Sequence, residues 1–225
     1  MRNLPPLVVL TDRRLCAPRS LPTVVEQAVE GGARWVLLRE KDLPHDERAA
    51  LRNRLHRIVI RKGGVLTLSR TTGGRGELAA FGWHLAAADP FPTGRPLLVG
   101  RSCHSLDELR AAAAEGCDYA FVSPIFETVS KPGYGPAVGL DRLAEWCAEV
   151  PIPVYALGGI GEANAARCIE AGAAGVAVMG AIMRANRPER VTAAILERVS
   201  MALPRRVRPA RRVHPRVQPA SGDTA

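Results

Sequence analysis

Apolar residues in this chain come in short unbroken runs, not at every second position. Leu7-Val8-Val9-Leu10, Trp35-Val36-Leu37-Leu38, Val65-Leu66-Thr67-Leu68-Ser69 and Trp83-His84-Leu85-Ala86 are the first four. Residues 97–102, 119–123, 153–157 and 175–179 supply four more. A strand that is apolar along its whole length suits a parallel sheet buried on both faces. Helical stretches separate the runs. One is opened by Ser20, carries Val24, Val25, Ala28 and Val29 on one face, and stops at Gly31-Gly32. Others are predicted over about 46–62, 77–81, from near Glu162, and over about 188–202. Ser105-Leu106-Asp107-Glu108 is a capping box that opens a helix over 106–115, with Gly116 as its stop. Eight strand–helix pairs in this length predict a single (β/α)8 TIM barrel over residues 1–203. A doubly wound open sheet is the alternative fold.

Composition and charge change this picture mainly at the C-terminus. The net charge is +9, and much of the excess lies in the Pro- and Arg-rich stretch from residue 204 onward. Residues 204–225 are read as a disordered basic tail, the only segment suited to touching nucleic acid. Aromatics make up 4% of the chain, so Ala, Val, Leu and Ile are expected to build the core. No apolar run is long enough to cross a bilayer, and the first residues lack the apolar stretch of a signal peptide. Cys16, Cys103, Cys117, Cys147 and Cys168 are scattered without CxxC spacing. That pattern argues against zinc and disulfides and for a cytoplasmic setting.

In a barrel of this kind ligands bind where the strands end. Those ends are polar here: Thr11-Asp12, Arg39-Glu40-Lys41, Ser69-Arg70, Asp89, Ser102-Cys103-His104, residues 123–131, Gly158-Gly159 and Met179-Gly180. Gly158-Gly159-Ile160-Gly161 and Met179-Gly180-Ala181 follow the last two strands, the usual place for a phosphate cradle of backbone N–H groups. Arg39 and Lys41 lie two apart and so share a face, suited to a phosphate or diphosphate; a solvated rim pair partnered by Glu40 is the plain alternative. Lys131 sits in a Gly-rich loop that could form a lid. His84, inside an apolar strand, reads as a satisfied core residue, and His104 as a neighbour of a helix cap. Cys103 could be a thiolate, with no paired base in evidence.

These strand ends resemble the thiamin phosphate synthase/TenI family. The resemblance rests on Val9-Leu10-Thr11-Asp12, Leu38-Arg39-Glu40-Lys41, Trp83-His84-Leu85 with Asp89, and Gly100-Arg101-Ser102-Cys103-His104-Ser105. It continues through Asp118-Tyr119, residues 123–128 with Lys131, and Ala156-Leu157-Gly158-Gly159-Ile160, in that order. The synthase joins an aminopyrimidine methyl diphosphate to a thiazole phosphate and releases pyrophosphate with the help of magnesium. The resemblance implies that Arg39, Lys41 and Lys131 bind diphosphate and that Ser102 and Thr128 lie near the ligands. It implies that Gly158, Gly159, Met179 and Gly180 cradle the thiazole phosphate, and that Asp89 is one of two Mg2+ aspartates. Two departures stand out. Ser69-Arg70 occupies the place of the family's Asn-Asp, which would put an Arg at the second metal position. Leu37 replaces a glutamine.

The 100–105 and 126–128 segments look closer to the TenI branch, whose reaction is a proton shift aromatising a thiazole phosphate carboxylate. The acid–base histidine used there aligns with Pro124. The candidate catalytic residues are then His104, Lys131 and Glu127. A TenI-like isomerase is therefore the first expectation, then a synthase, a non-catalytic phosphate-ligand binder, and a function in the basic tail. The expected partner is a small phosphorylated thiazole or pyrimidine, with a homo-oligomer as a further expectation.

Overall fold

The computed structural model describes residues 4–70, 82–94, 96–127 and 136–204. The expected helix over 77–81, Thr128, Lys131 and the tail beyond residue 204 lie outside them. Eight parallel strands close on themselves in chain order: β1 (Leu7–Leu10), β2 (Trp35–Leu38), β3 (Val65–Ser69), β4 (Gly82–Leu85), β5 (Val99–Cys103), β6 (Tyr119–Val122), β7 (Val154–Leu157) and β8 (Gly175–Val178). The helices are α1 (Leu21–Glu30), α2 (His45–Ile60), α3 (Leu106–Ala114), α4 (Gly139–Glu149), α5 (Ala165–Glu170), α6 (Gly180–Met183) and α7 (Pro188–Ala202). This is a TIM barrel.

The closed barrel explains why the strands are apolar throughout. Val9, Val36, Leu38, Leu68, Leu85, Val99, Val122 and Val178 face the helices. Their neighbours Val8, Leu10, Trp35, Leu37, Tyr119, Phe121, Tyr155 and Ala177 fill the lumen. The aromatic residues, few as they are, concentrate there, so the expectation of an aliphatic core holds only for the outer layer. Trp35 meets Tyr119 edge-on at 4.8 Å and Tyr155 at 5.3 Å between ring centroids. Its indole N–H donates to Thr67 Oγ1 at 2.9 Å. Gly100 and Gly175 leave room for these rings: a Cβ on Gly100 would overlap Tyr119, and one on Gly175 would overlap Tyr155.

Ser20 caps α1 by accepting from Thr23 N, and Ser105 caps α3 by accepting from Glu108 N. The Glu108 carboxylate takes the N–H of His104 at 2.6 Å, one residue before the cap. Gly31 does more than stop α1, since a Cβ there would collide with the backbone of Glu189 where α7 begins.

Several boundaries differ from the sequence expectation. β5 begins at Val99, and Leu97 is left 57% exposed. The helix expected from near Glu162 begins at Ala165. α4, the one-turn α6 and a short 3-10 turn at Arg13–Leu15 were not anticipated. Among the described residues no helix joins β4 to β5, so the outer ring departs from eight strand–helix pairs. Pro90, Pro92 and Pro96 occupy that link, and proline withholds the N–H groups a helix needs.

Candidate active site at the barrel mouth

Each strand carries its inward parity past the aromatic plug, and that sets the chemistry of the mouth. After Leu37 come Arg39 and Lys41; after Thr67, Ser69; after Gly100, Ser102 and His104; after Phe121, Ser123. All of these line a cavity of about 430 Å3, with His84. Leu10 of β1, Leu157 of β7 and Met179, just past the end of β8, make its opposite wall apolar. A second cavity of about 230 Å3 shares Leu157 and Met179 and is lined by Gly158, Gly159, Gly180, Glu127 and Arg184. The cationic rim and the glycine loops therefore stand on one face of the barrel.

Glu40 is not the partner of Arg39 and Lys41. Having the opposite parity it turns outward, where it is 4% exposed and accepts from Arg13 through the backbone N at 3.1 Å and Nη1 at 2.9 Å. Asp42 takes Arg13 and Arg14 at 2.8 and 2.6 Å. Its hydrogen bond from Arg13 holds its carboxyl well below the usual carboxylate range. The nearby acids are thus consumed by two other arginines. Among the described residues, Arg39 and Lys41 form no ion pair; both line the mouth, and both also border a cavity of about 210 Å3 shared with Asp12, Glu40 and Asp42. Thr11 Oγ1 accepts from Arg39 N at 2.9 Å and fixes the main chain at this point.

His84 is satisfied, as expected for a strand histidine, yet it also forms part of the cavity floor. Its Nε2 lies 2.8 Å from Ser102 Oγ, its Nδ1 3.1 Å from Tyr119 OH, and its ring 4.2 Å from that of Phe121. Burial, then the charges of Lys41 and Arg101, push its pKa down to about 3. It is a neutral imidazole at ordinary pH. His104 is half-buried and faces the same cavity, not the surface position beside a cap that the sequence suggested. Its Nδ1 lies 2.7 Å from Ser123 O. A carbonyl only accepts, so in the neutral ring the proton sits on Nδ1 and Nε2 is the basic nitrogen. Cys103 has the outward parity, is fully buried among the helices, and burial pushes its thiol up to about 12. That excludes a thiolate nucleophile. Glu127 lines the smaller cavity and His104 the larger, so these two candidates stand in different lobes.

At the glycine lobe, Gly158 and Gly159 have φ of 102° and 67°. A Cβ on Gly159 would lie 2.6 Å from Glu127 O and 2.7 Å from Phe126 Cβ. Glycine is required by both torsion and space. Asn164 staples the loop, accepting from Gly161 N and donating to Gly159 O, each at 2.9 Å.

The magnesium expectation can be tested on these residues. Asp89 Oδ2 accepts from Ala86 N at 2.7 Å, closing the turn after β4. Asp89 O, Ala86 O and Ala87 O all accept from Arg101 Nη1, and Arg101 Nη2 also meets Glu115 at 2.7 Å. Arg70 has outward parity, donates to Pro90 O in the same link and lies over Trp83. Among the described residues no group of three or more His, Cys, Asp or Glu could hold a metal. One carboxylate engaged in a turn, with a guanidinium holding the same link, does not fit a magnesium ion.

Sequence reasoning quoted Arg101 without giving it a role, and missed Asn164 and Arg184. Arg184 stands four residues after Gly180, a spacing that is informative only once α6 is known to be a helix.

Comparison with known proteins agrees with this geometry. The family model for thiamine monophosphate synthase matches residues 7–182. A Geobacter sulfurreducens protein, provisionally named a thiamine-phosphate synthase, is 40% identical over 196 residues, covering 84% of this chain and 92% of its own. The thiamine-phosphate synthase of Roseiflexus sp. (strain RS-1) is 36% identical over 207 residues, covering 89% and 87%. Among solved structures, the thiamine phosphate pyrophosphorylase from Pyrococcus furiosus superposes with a TM-score of 0.74 at 27% identity, over 88% of this chain and 96% of that one. None of these names singles out the TenI branch. The chain belongs to the thiamine monophosphate synthase family.

Proposed function

We propose that this protein is a thiamin-biosynthesis transferase that joins an aminopyrimidine methyl diphosphate to a thiazole phosphate. The observation that carries the reading is a mouth with two anion-binding ends, Arg39 with Lys41 and the Gly158–Gly159/Gly180 lobe, bridged by the shared wall of Leu157 and Met179. Two phosphorylated substrates need two such ends, with the reacting atoms held between them. In the coupling, the thiazole nitrogen donates its lone pair to the methylene carbon. The carbon–oxygen bond to the diphosphate breaks, and that electron pair leaves with pyrophosphate. Arg39 and Lys41 hold the departing charge, and the apolar wall excludes water from the methylene carbon. Lys131, outside the described residues, is proposed to join them with Thr128. The names and coverage of the relatives support the transferase reading over the isomerase.

A second reading has specific support. Arg70 stands where a metal aspartate was expected, and His104 carries a basic Nε2 at the cavity wall. Both suit a proton shift on a thiazole phosphate carboxylate, with His104 as acid and base. One experiment addresses the two. The purified chain is given aminopyrimidine diphosphate with thiazole phosphate, and in a separate arm the thiazole carboxylate tautomer. Pyrophosphate and thiamin phosphate in equal amounts support the transferase. Aromatisation without coupling replaces it with the isomerase. Neither product, beside an active relative as control, refutes both and leaves a phosphate-ligand binder.

A further inference from the structure

Arg184 stands apart from the other arginines near the mouth. It caps the C-terminus of α6, with its backbone N donating to Gly180 O at 3.1 Å. The residue is exposed, but its side chain stays close to the helix turn. It folds back along the turn, so that a Cβ on Gly180 would overlap Nη1. The guanidinium thereby lines the smaller cavity together with Gly158, Gly159 and Gly180.

Nothing among the described residues neutralises it. Glu189 is taken by Arg187 at 3.0 Å, and Glu162 lies 3.6 Å from Arg198. Glu127 lines the same cavity without pairing to Arg184. An arginine that meets no carboxylate, lies across Gly180 and lines the same cavity as the glycine loop is placed to take an anion there. A phosphomonoester dianion fits, because the planar fork can take two of its oxygens at once while the amides of the loop take the third.

We infer that Arg184 is a ligand of the phosphate in the glycine lobe and sets the preference of this chain for a phosphorylated ligand over the free alcohol. The inference rests on the reading of that lobe as the thiazole phosphate site. Gly180 has a matching role: it is small so that the guanidinium can lie across it.

The test uses the full chain and inorganic phosphate as the probe, followed by 31P line broadening and calorimetry, so that it does not depend on catalysis. Arg184→Gln should weaken phosphate binding roughly 10- to 100-fold, the range for losing charge-assisted hydrogen bonds. Arg184→Lys should recover only part of the loss, because an ammonium lacks the fork. The melting temperature should barely move, since the side chain is exposed. Gly159→Val, which closes the lobe, is the control for its location. If Gly159→Val abolishes binding while Arg184→Gln binds within twofold of the unaltered chain, the inference is overturned and the lobe stands. If phosphate binds unchanged in both variants, or does not bind the unaltered chain at all, the reading of the lobe falls and takes this inference with it.

Discussion

Replacing His84 by glutamine should flatten the acid side of the stability profile. His84 is held neutral, chiefly by burial and next by the charges of Lys41 and Arg101, with its pKa pushed down to about 3. In the unfolded chain the imidazole titrates near 6.5. Below about pH 6.5 the unfolded chain therefore gains a proton that the folded chain refuses, and stability must fall as the pH drops. The contribution is fully present above about 6.5, is lost across the window down to about 3, and is flat outside it. Where the two states differ by a whole proton, between about pH 5.5 and 4, the slope is about 1.4 kcal/mol per pH unit. Over the full window the loss is on the order of 3–5 kcal/mol.

Glutamine keeps a polar tip for Ser102 and Tyr119 but cannot titrate. It gives up the ring contact with Phe121 at 4.2 Å, so the variant starts about 1–3 kcal/mol lower at neutral pH. That offset is not the readout. Urea unfolding at a series of pH values gives both profiles, and carboxylates contribute to both alike. The difference between them should shrink as the pH falls below 6.5 and change sign before about pH 3, because the loss of about 3–5 kcal/mol exceeds the offset. Parallel profiles, or an imidazole resonance from His84 titrating near neutrality in the folded protein, would refute the reasoning.

The other predictions follow from contacts of similar detail. Arg13→Ala leaves the buried Glu40 carboxylate without its guanidinium; with Arg13 about a third exposed, urea unfolding should register a loss of about 1–3 kcal/mol. Glu40 is then also free to draw on Arg39 and Lys41, so KM for the diphosphate substrate should rise several-fold with little change in kcat. Gly159→Ala and Gly63→Ala both place alanine at positive φ, 67° and 68°; Gly63→Ala should lose about 1–2 kcal/mol and Gly159→Ala more, because its Cβ also meets backbone. Only Gly159 also meets Glu127 O and Phe126 Cβ, whereas Gly63 has nothing within 4 Å, so only Gly159→Ala should raise KM for the thiazole phosphate. Gly100→Ala pushes a methyl into the Tyr119 ring, and a thermal melt should show destabilisation of about 1–3 kcal/mol, as for other overpacked cores.

The fold was legible because burial on both faces leaves a mark that one-sided burial does not. Val8 and Val9 are adjacent, point opposite ways and are both fully buried. What sequence reading lost was set by packing between distant segments. The aromatic share of the chain said nothing of where the rings go, and Gly100 and Gly175 reveal their purpose only once Tyr119 and Tyr155 are seen lying across them. The irregular β4–β5 link was written in Asp89-Pro90-Phe91-Pro92, but a count of strand–helix pairs ran over it. Glu40 looked like the partner of its neighbours because its actual partner, Arg13, lies 27 residues earlier.

Parity along the strands then decides what the mouth can do. In Arg39-Glu40-Lys41 alternation sends two cations inward and the acid outward, and Arg13 secures the acid there. In Ser69-Arg70 it sends the hydroxyl inward and the arginine to the Pro90 carbonyl. In Ser102-Cys103-His104 it places hydroxyl and imidazole in the cavity and hides the thiol. A slip of one residue on β2 alone would put Glu40 in the mouth and press Arg39 and Lys41 into the apolar layer behind it, at a cost no folded domain of ordinary stability sustains. The register is therefore held by the outer apolar layer, and the positive mouth is its consequence. It follows that exchanging the residues at 39 and 40 should abolish anion binding while the outward arginine, beside Arg13, destabilises the fold. The exchange at 69 and 70 should instead fill the cavity with a guanidinium and leave the Pro90 carbonyl without its donor.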